Sequence, residues 1–410
     1  MKKTFSAALT LLGTAGLLAA TSASAQTVST KGGLSIASED GNFAFQLGGR
    51  IHFDGYLFSE PEIDGVEVPR ASGQSSGTEF RRARLSLSGQ AYGWAFKFEE
   101  EFAGSDVDER ELWIGRSIGP GFLTLGQFKP YRGMDELTSS NELLMMERPS
   151  TSASGVYNGR QFQQGVGYLV GRKDGRYTLG ASAYTLRNDD STRNEGVGFA
   201  ARGTYASPLV DNRGTLHFGG SYSVDNTSQN PANVGVTTRV GFAGRRSNVS
   251  SDPLQSGTIG SVAPGESAST LGLELAASIG AFFLQAEHAW QRLGQGAGGS
   301  DQDVAAKYVM IAYNFSHLRK AYKADKGVFA ALKPSDGGAL ELTARYDNIE
   351  NSDSPEAPEA TSITVGANYY VNPQLRFMVN LTHGEFDVGA PGARTSAELD
   401  QLAVRAQLHF

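Results

Sequence analysis

The chain has 410 residues, with 36 Lys and Arg against 43 Asp and Glu, which gives a formal net charge of −7. It contains no cysteine, so disulfide bonds, thiol catalysis and thiolate metal sites are excluded. The 51 glycines, the 10% of aromatic residues and only 14 prolines favour repeated β-hairpins over helices or disorder.

The first element in the chain is a short apolar stretch at the N-terminus. Lys2 and Lys3 precede apolar or small residues from 4 to 20, and an A-x-A cleavage site ends at Ala25. This pattern is typical of a secretory signal peptide, because the apolar core is too short for a membrane anchor. We therefore predict that residues 1–25 are removed on export and that the mature chain begins at Gln26.

The next element is the stretch NFAFQLGGRIHFDGYLF at residues 42–58, in which apolar and polar side chains alternate. Ile51 and Phe53 fall on one parity, whereas Arg50 and His52 fall on the other. Successive side chains of a β-strand point to opposite faces, so this strand has one apolar face and one charged face. It also exceeds the usual strand length in soluble proteins, about 3 to 10 residues.

The same alternation recurs to the end of the chain and predicts sixteen strands. The predicted strands are 42–58, 80–92, 94–102, 109–117, 121–129, 160–171, 175–187, 195–206, 214–225, 269–280, 282–292, 303–315, 338–349, 361–372, 374–385 and 399–410. Short and long connections alternate between them, except that 316–337 is long but falls among the short ones. An even strand number with this asymmetry of connections is typical of transmembrane β-barrels.

We therefore predict an all-β fold: a 16-stranded antiparallel transmembrane β-barrel over residues 26–410, with short periplasmic turns and long external loops. The apolar face meets lipid, and the closed sheet leaves no exposed edge. Sixteen strands leave an aqueous channel, which the charged face lines. The last segment alternates up to Phe410, as in bacterial outer-membrane barrels. The alternative, a soluble β-sandwich, would also have to explain the signal peptide and the alternating connections.

Several fragments, in their order and spacing, resemble the phosphate-selective porin O and P family. They include STKGGL, FQLGGRIHFD, FRRARLSLSG, GQFKPY, LTSSNELLMMERP and GANYYVNPQLRFMVNLTHGEF. The resemblance covers essentially the whole chain after the signal peptide. It implies a homotrimeric, sixteen-stranded porin of the Gram-negative outer membrane, with its third external loop folded into the lumen.

The resemblance also carries functional positions over to this chain. Arg50 lies in the L-G-G-R segment, Arg82 in F-R-R-A, and Asp108 in the acidic stretch before the fourth strand. Basic positions are implied near the N-terminus, in the long loop 226–268 and in the periplasmic connection; they are Lys31, Arg239, Arg245, Arg246, Lys323, Lys326 and Lys333. Phosphate-specific members have a lysine just before a T-S-S motif, where this chain has Glu136. The resemblance therefore implies the barrel and the trimer without tight phosphate binding.

The alternation itself places several cations in the lumen. Arg50, Arg82, Arg84 and Lys97 fall on the lumen parity of neighbouring strands, since a basic side chain facing lipid near mid-membrane costs about 2 to 4 kcal/mol. Arg81 has the opposite parity, and we expect it at a rim or in a local bulge. The basic strip is either an anion path or a salt-bridge ladder with the nearby acids Glu99, Glu101, Glu109 and Glu111.

The connection 130–159 carries charges of both signs. Arg132, Asp135 and Glu136 lie within it, and Lys129 immediately precedes it. It also contains Glu142, Glu147 and Arg148, and Arg160 immediately follows it. We predict that it folds into the lumen and forms a constriction in which Lys129 and Arg132 oppose the acids, including Asp108. The alternative is an external loop surrounded by solvent.

These features predict an outer-membrane porin, a passive diffusion channel for small hydrophilic solutes, in particular inorganic or organic anions. Its preference is either phosphate-like or only weakly selective. The predicted partners are these anions, outer-membrane lipid and further copies of the chain; no cofactor, metal ion, nucleic acid or enzymatic activity is predicted. One alternative is a barrel enzyme such as a lipase, although the G-x-S-x-G segment at 115–119 precedes a strand rather than the helix of a nucleophile elbow. Another is a structural or receptor barrel without open conductance.

Overall fold

The computed structural model describes most of the chain. The described residues are 27–29, 34–67, 76–104, 107–157, 161–186, 196–209, 213–227, 235–237, 257–335, 337–390 and 392–410. The predicted signal peptide lies outside them, as do five of the basic residues singled out above, which are Lys31, Arg160, Arg239, Arg245 and Arg246.

Sixteen antiparallel strands form a closed barrel, which confirms the predicted fold class and strand number. They are β1 (Phe43–Phe58), β2 (Gly77–Ala91), β3 (Trp94–Glu101), β4 (Asp108–Ile118), β5 (Gly121–Phe128), β6 (Gln163–Gly171), β7 (Tyr177–Thr185), β8 (Gly196–Leu209), β9 (Gly214–Thr227), β10 (Ser267–Ile279), β11 (Phe282–Leu293), β12 (Gln302–Asn314), β13 (Ala339–Glu350), β14 (Glu359–Tyr370), β15 (Leu375–Val388) and β16 (Thr395–His409). Each strand pairs with the next along the chain. The barrel closes where β16 pairs with β1, from His409 opposite Arg50 to Gln401 opposite Phe58.

The alternation along each strand separates an apolar outer face from a polar inner face. In β7, exposed and buried residues alternate at every position. Leu179 and, in β8, Val197 are 56% and 57% exposed on the outside, whereas Thr178 and Ser182 are buried on the inside. An apolar outer surface of this extent suits lipid rather than water.

The two ends of the barrel differ in their connections. At one end, Tyr92 and Gly93 join β2 to β3 with φ values of 50° and 77°, the left-handed conformation that a two-residue type I′ hairpin requires at both positions. At the other end, long connections such as 59–76 and 129–162 join the strands. Among the described residues, no helix is long and apolar enough to cross a membrane.

Smaller elements accompany the barrel. They are the strands Thr27–Ser29, Leu34–Ala37, Glu62–Ile63, Val66–Glu67, Gly235–Thr237, Thr258–Ser261, Tyr322–Lys323 and Val328–Phe329, and the one-turn helices Met134–Leu137 and Ser150–Ala153. Leu34–Ala37 pairs with the first half of β1. Both helices belong to the connection between β5 and β6.

The long connection at the short-turn end, residues 315–338 between β12 and β13, folds back into the lumen. Lys320 forms an ion pair of 2.8 Å with Glu341, a buried lumen-facing residue of β13. The ring of Phe329 packs against Phe283 of β11, with 5.2 Å between the ring centroids. Part of this connection therefore lies inside the barrel, which explains why it is long although it falls among the short connections.

Candidate functional site

The connection between β5 and β6 lies inside the barrel, along one part of its wall. Glu287 of β11 accepts hydrogen bonds from the backbone N–H groups of Met134 and Asp135, at 2.8 and 2.7 Å. Asp347 of β13 accepts another from the N–H of Ser150, at 3.0 Å. The loop backbone therefore follows the inner surface of the barrel rather than the external solvent.

Lumen-facing arginines bind the carbonyl groups of the same loop. Arg345, Arg376 and Arg405 donate hydrogen bonds to its backbone at 2.7, 2.9 and 2.8 Å. The acceptors are the carbonyl oxygens of Glu147, Leu143 and Met146, respectively. Because buried carbonyl groups need partners, these arginines satisfy the loop and fix it against β13, β15 and β16.

A β-bulge turns Arg81 into the lumen. Arg82 lies opposite His52 and Phe80 lies opposite Phe53, so Arg81 is the extra residue between them. A bulge leaves one residue unpaired and re-aims its side chain. Arg81 thus avoids the lipid face that its sequence parity implies.

Glu147 joins the loop to strands on both sides of the barrel closure. Arg81 of β2 binds its two carboxylate oxygens at 2.8 and 2.9 Å, and Arg405 of β16 lies 3.4 Å from one of them. Burial alone would raise the pKa of the Glu147 carboxyl, but Arg81 first and Arg405 second hold this pKa at about 2. Glu147 is therefore ionised at neutral pH.

An open cavity of about 930 Å³ lies beside the loop, mainly along β1–β6. It extends from the loop segment 139–142 to the short turn 119–121 at the periplasmic end. The described residues that line it include ten basic ones, which are Arg50, Arg82, Arg84, Lys97, Lys129, Arg148, Lys173, Arg202, Lys323 and Lys326. Its four acidic lining residues are Glu99, Glu111, Glu142 and Asp325. Basic groups therefore outnumber acidic groups in the described lining of the cavity.

Three of the predicted cations are paired with acids of the same wall. Arg50 and Arg84 share the Glu99 carboxylate, at 2.8 and 3.0 Å. Lys97 is bonded to Glu111. These residues both line the cavity and form the salt-bridge ladder that the sequence left open as an alternative.

Arg82 differs from its neighbours, because it forms no ion pair with a described carboxylate. Its side chain lines the cavity and the residue is only 7% exposed, yet its Nε atom has no hydrogen-bond partner within the described part of the chain. The nearby Glu147 is already bound by Arg81 and Arg405. A buried cation without a counter-ion favours an anion beside it.

Glu136 and Lys129, both predicted at the constriction, lie on different sides of the loop. The Glu136 carboxylate is buried, 3.9 Å from Arg132 and 3.4 Å from the Gln161 amide, and it does not line the cavity. Lys129 does line it, and its Nζ donates to the carbonyl oxygens of Glu136 and Thr138 at 2.7 and 3.2 Å. Burial lowers the pKa of Lys129 well below its usual range and raises the pKa of Glu136.

Three further predicted site residues have structural contacts away from the cavity. Arg132 lies between the rings of Tyr157 and Tyr184, 5.7 Å from each centroid. The Asp135 carboxylate binds the guanidinium of Arg148 at 2.8 Å, and Asp108 binds Arg110 at 2.9 Å. None of Arg132, Asp135 and Asp108 lines the cavity.

The basic residues of the connection 315–338 also differ in whether they line the cavity. Lys323 and Lys326 line the periplasmic end of the cavity, whereas Lys333 is exposed and does not line it. Lys323 is bonded to Glu142 and so joins the two segments that enter the lumen. Lys173 and Arg202, which the sequence did not single out, complete the basic lining.

Sequence reasoning also missed five aromatic residues that line the cavity. They are Trp113, Phe122, Phe128, Tyr131 and Phe162. Trp113 and Phe122 occupy lumen positions of β4 and β5, where a polar side chain is the simpler expectation for an aqueous channel. Large aromatic residues at these lumen positions make the alternation of β4 and β5 less regular than that of most other strands. This irregularity was a usable signal in the sequence.

One group of described residues has the donor atoms of a metal site. His383, Glu385 and Glu398 offer ligand atoms within 4.8 Å of one another. They lie on the outer face of β15 and β16, and the second ring nitrogen of His383 is bonded to Asp400 at 2.8 Å. This group is therefore separate from the lumen and its charges.

A closed sixteen-stranded barrel with two inserted segments and a charged lumen defines a porin of the bacterial outer membrane. Residues 45–410 match the family described as "Phosphate-selective porin O and P", and the chain belongs to this family, as its sequence fragments predicted. It is accordingly an outer-membrane channel.

The chain is similar to several known proteins over most of its length. Porin O of Pseudomonas aeruginosa is 28% identical over 381 residues, 85% of this chain and 84% of that protein. An anion-selective porin from Comamonas acidovorans has a TM-score of 0.55 at 15% identity, covering 90% of this chain and 100% of that chain. The trimer form of OmpT from Vibrio cholerae has a TM-score of 0.54 at 11% identity, covering 90% and 99%.

Proposed function

We propose that this porin is a passive diffusion channel that favours anions and does not bind phosphate tightly. The observation that carries the proposal is Arg82, a buried cavity-lining cation without a counter-ion among the described residues. The excess of basic groups around Arg82 also favours anions over cations. The anion selectivity in the name of the Comamonas porin agrees with this reading.

The size of the effect follows from Coulomb's law. One unit charge about 5 Å from a passing ion, at an effective dielectric near 20, is worth about 3 kcal/mol. Mobile ions and water in the lumen screen this interaction. A screened remainder of about 1 kcal/mol still changes an anion-to-cation permeability ratio about fivefold.

Reversal potentials of the purified porin in a planar bilayer, measured across a KCl gradient, test this proposal. We expect chloride to permeate better than potassium, and Arg82→Gln to lower the ratio about fivefold. The matched control is Arg292→Gln, which removes an arginine whose side chain is 62% exposed outside the lumen. Cation selectivity in the unmutated porin would refute the proposal.

Phosphate titration of the chloride current tests the second half of the proposal. Arg50, Arg84 and Lys97 are already paired with carboxylates, so few cations remain free to surround a dianion. We therefore expect phosphate to block the current weakly. Half-block at micromolar phosphate would contradict this and would show that Arg82 and Lys129 suffice for tight binding.

We also propose that the loop 130–159 is the constriction and that the porin is a homotrimer. The strands β3 and β5 have only 8 residues each, against 16 in β1. Eight tilted residues span about 20 Å, less than the apolar band of about 25 Å, which favours a second copy of the chain rather than lipid beside this wall. Native mass spectrometry in detergent tests the trimer, and a monomer would contradict it.

The proposal assigns the chain no catalytic activity. Gly115–Gly119 belong to β4 and the turn into β5, whereas a nucleophile elbow leads into a helix. An open, stable conductance would separate a diffusion channel from a barrel enzyme and from a receptor barrel. A reconstituted protein that inserts without conducting would favour the receptor.

A further inference from the structure

The cavity has two chemically different sides. The strands β1–β3 contribute Arg50, Arg82, Arg84 and Lys97, whereas β4, β5 and the following loop contribute the aromatic residues. The rings of Trp113 and Phe122 lie 6.0 Å apart, almost perpendicular to each other. The rings of Phe128 and Tyr131 lie 5.9 Å apart further along the same side.

The two sides meet within the length of one small molecule. Lys97 lies directly opposite Trp113 in the pairing of β3 with β4. Glu111 accepts a hydrogen bond from the Trp113 indole at 3.3 Å and is also bonded to Lys97. On the loop side, the Lys129 ammonium lies 5.5 Å from the centre of the Phe162 ring.

Trp113 and Phe122 are among the rings that a solute can reach. Phe128 and Phe162 are buried, with 4% and 6% exposure, and support the wall. Trp113 and Phe122 are partly exposed and line the open space. Because both lie on the inner face of the barrel, this exposure is to the cavity and not to lipid.

We infer that the cavity binds organic anions that carry a flat apolar group, such as aromatic carboxylates, in preference to small anions of the same charge. This inference rests on the proposed anion path and specifies its solute. The carboxylate of such a solute lies beside the cations of β1–β3, and its ring lies against Trp113 and Phe122.

The physical reason lies in what each side offers an anion. The face of an aromatic ring is the negative part of its quadrupole, and phenylalanine has no hydrogen-bond donor. A small hydrated oxyanion therefore loses water against this side and gains no partner. An apolar ring instead gains by leaving water and by offset or edge-to-face contact. A volume of about 930 Å³ is within the range of about 300 to 1,000 Å³ that is common for small-molecule sites.

The test compares benzoate with acetate, which carry the same charged group. Reversal potentials with potassium benzoate or potassium acetate opposite KCl give the permeability of each anion relative to chloride, after correction for mobility in water. In the unmutated porin, we expect benzoate to exceed acetate. In the double variant Trp113→Ala, Phe122→Ala, we expect the benzoate-to-acetate ratio to fall about threefold or more.

The matched control is Trp94→Ala, because Trp94 begins β3 and its ring packs with Arg116 on the outer face. It should leave the benzoate-to-acetate ratio unchanged. Equal corrected permeabilities of benzoate and acetate in the unmutated porin would overturn this inference alone. A porin that favours potassium over chloride would overturn the proposed anion path as well, so the two failures are distinguishable.

Tryptophan fluorescence gives a second measurement if the double variant fails to fold. The chain has three tryptophans, and Trp113 lines the cavity. Titration of the unmutated porin with 4-nitrobenzoate should quench part of the emission saturably, and this saturable part should be lost in Trp113→Phe. Quenching that is linear in concentration, or unchanged in Trp113→Phe, would overturn the inference.

Discussion

The wall formed by β13, β15 and β16 and the wall formed by β1 and β2 both carry lumen-facing arginines, but they use them differently. Arg345 and Arg376 bind carbonyl groups of the inserted loop. Arg82 faces open space without a described counter-ion, and Arg84 lines the same cavity while paired with acids. A lumen position alone therefore does not place an arginine on the solute path; the position of the loop decides it.

The largest expected effect comes from removing the loop from the first wall. Deleting residues 141–146 takes away most of the backbone that Arg376 and Arg405 bind. We expect the single-channel conductance to rise at least about twofold, because an unobstructed sixteen-stranded barrel encloses a wide aqueous channel. A deletion of similar length in the external connection 294–301 is the control. Unchanged conductance after the first deletion would show that the loop does not limit the pore.

Reversing a charge on the second wall should have the next largest effect. Arg82→Glu changes the cavity charge by two, twice the change in Arg82→Gln. We expect the reversal potential in a KCl gradient to move toward cation selectivity. On the first wall, Arg376→Gln leaves the Leu143 carbonyl without its donor and should destabilise the protein by about 1 to 3 kcal/mol, with little change of selectivity. If Arg376→Gln shifts the reversal potential as much as Arg82→Glu does, the distinction between the walls fails.

Lys129 allows a pH test of the second wall. Burial lowers the pKa of its ammonium, so its positive charge is lost as the pH rises through this lowered value. We expect the anion preference to decline as the pH rises through this lowered pKa, below the range in which ordinary lysines titrate. Lys129→Arg should remove this decline, because a guanidinium stays charged. A decline that persists in Lys129→Arg would assign the titration to another group.

The smallest effect is expected at Glu136. Its carboxylate lies behind the loop beside Arg132 and Gln161. We expect Glu136→Gln to change the chloride-to-potassium ratio less than about twofold, well below the effect of Arg82→Gln. The same reversal-potential measurement checks this. A change as large as that of Arg82→Gln would show that Glu136 acts on the solute path.

The barrel was predictable from the sequence because its signal is local. Alternation in a stretch such as 42–58 reflects one strand between lipid and water, and no distant contact is needed to read it. The strand boundaries shifted by a few residues, as at β2, which begins at Gly77 rather than at residue 80. The bulge at Arg81 was also visible as a break in parity.

The role of each charged residue was much less predictable. Arg132 and Glu136 were expected in the constriction, and the structure places both away from the open cavity. Trp113 and Phe122 were not expected to matter, and they line it. Strand parity tells which face a side chain occupies, but it does not tell what stands opposite that face.

The sixteen strands, the asymmetric connections and the family could all be predicted from the sequence alone. These are properties of short segments and of their order, because lipid on one side and water on the other impose a period of two. The sequence did not reveal which wall the loop occupies, that residues 315–338 enter the lumen, or that Arg82 lacks a described counter-ion. These features depend on contacts between residues far apart in the chain, such as Arg405 with Met146 and Lys323 with Glu142, and such contacts leave no periodic trace in the sequence.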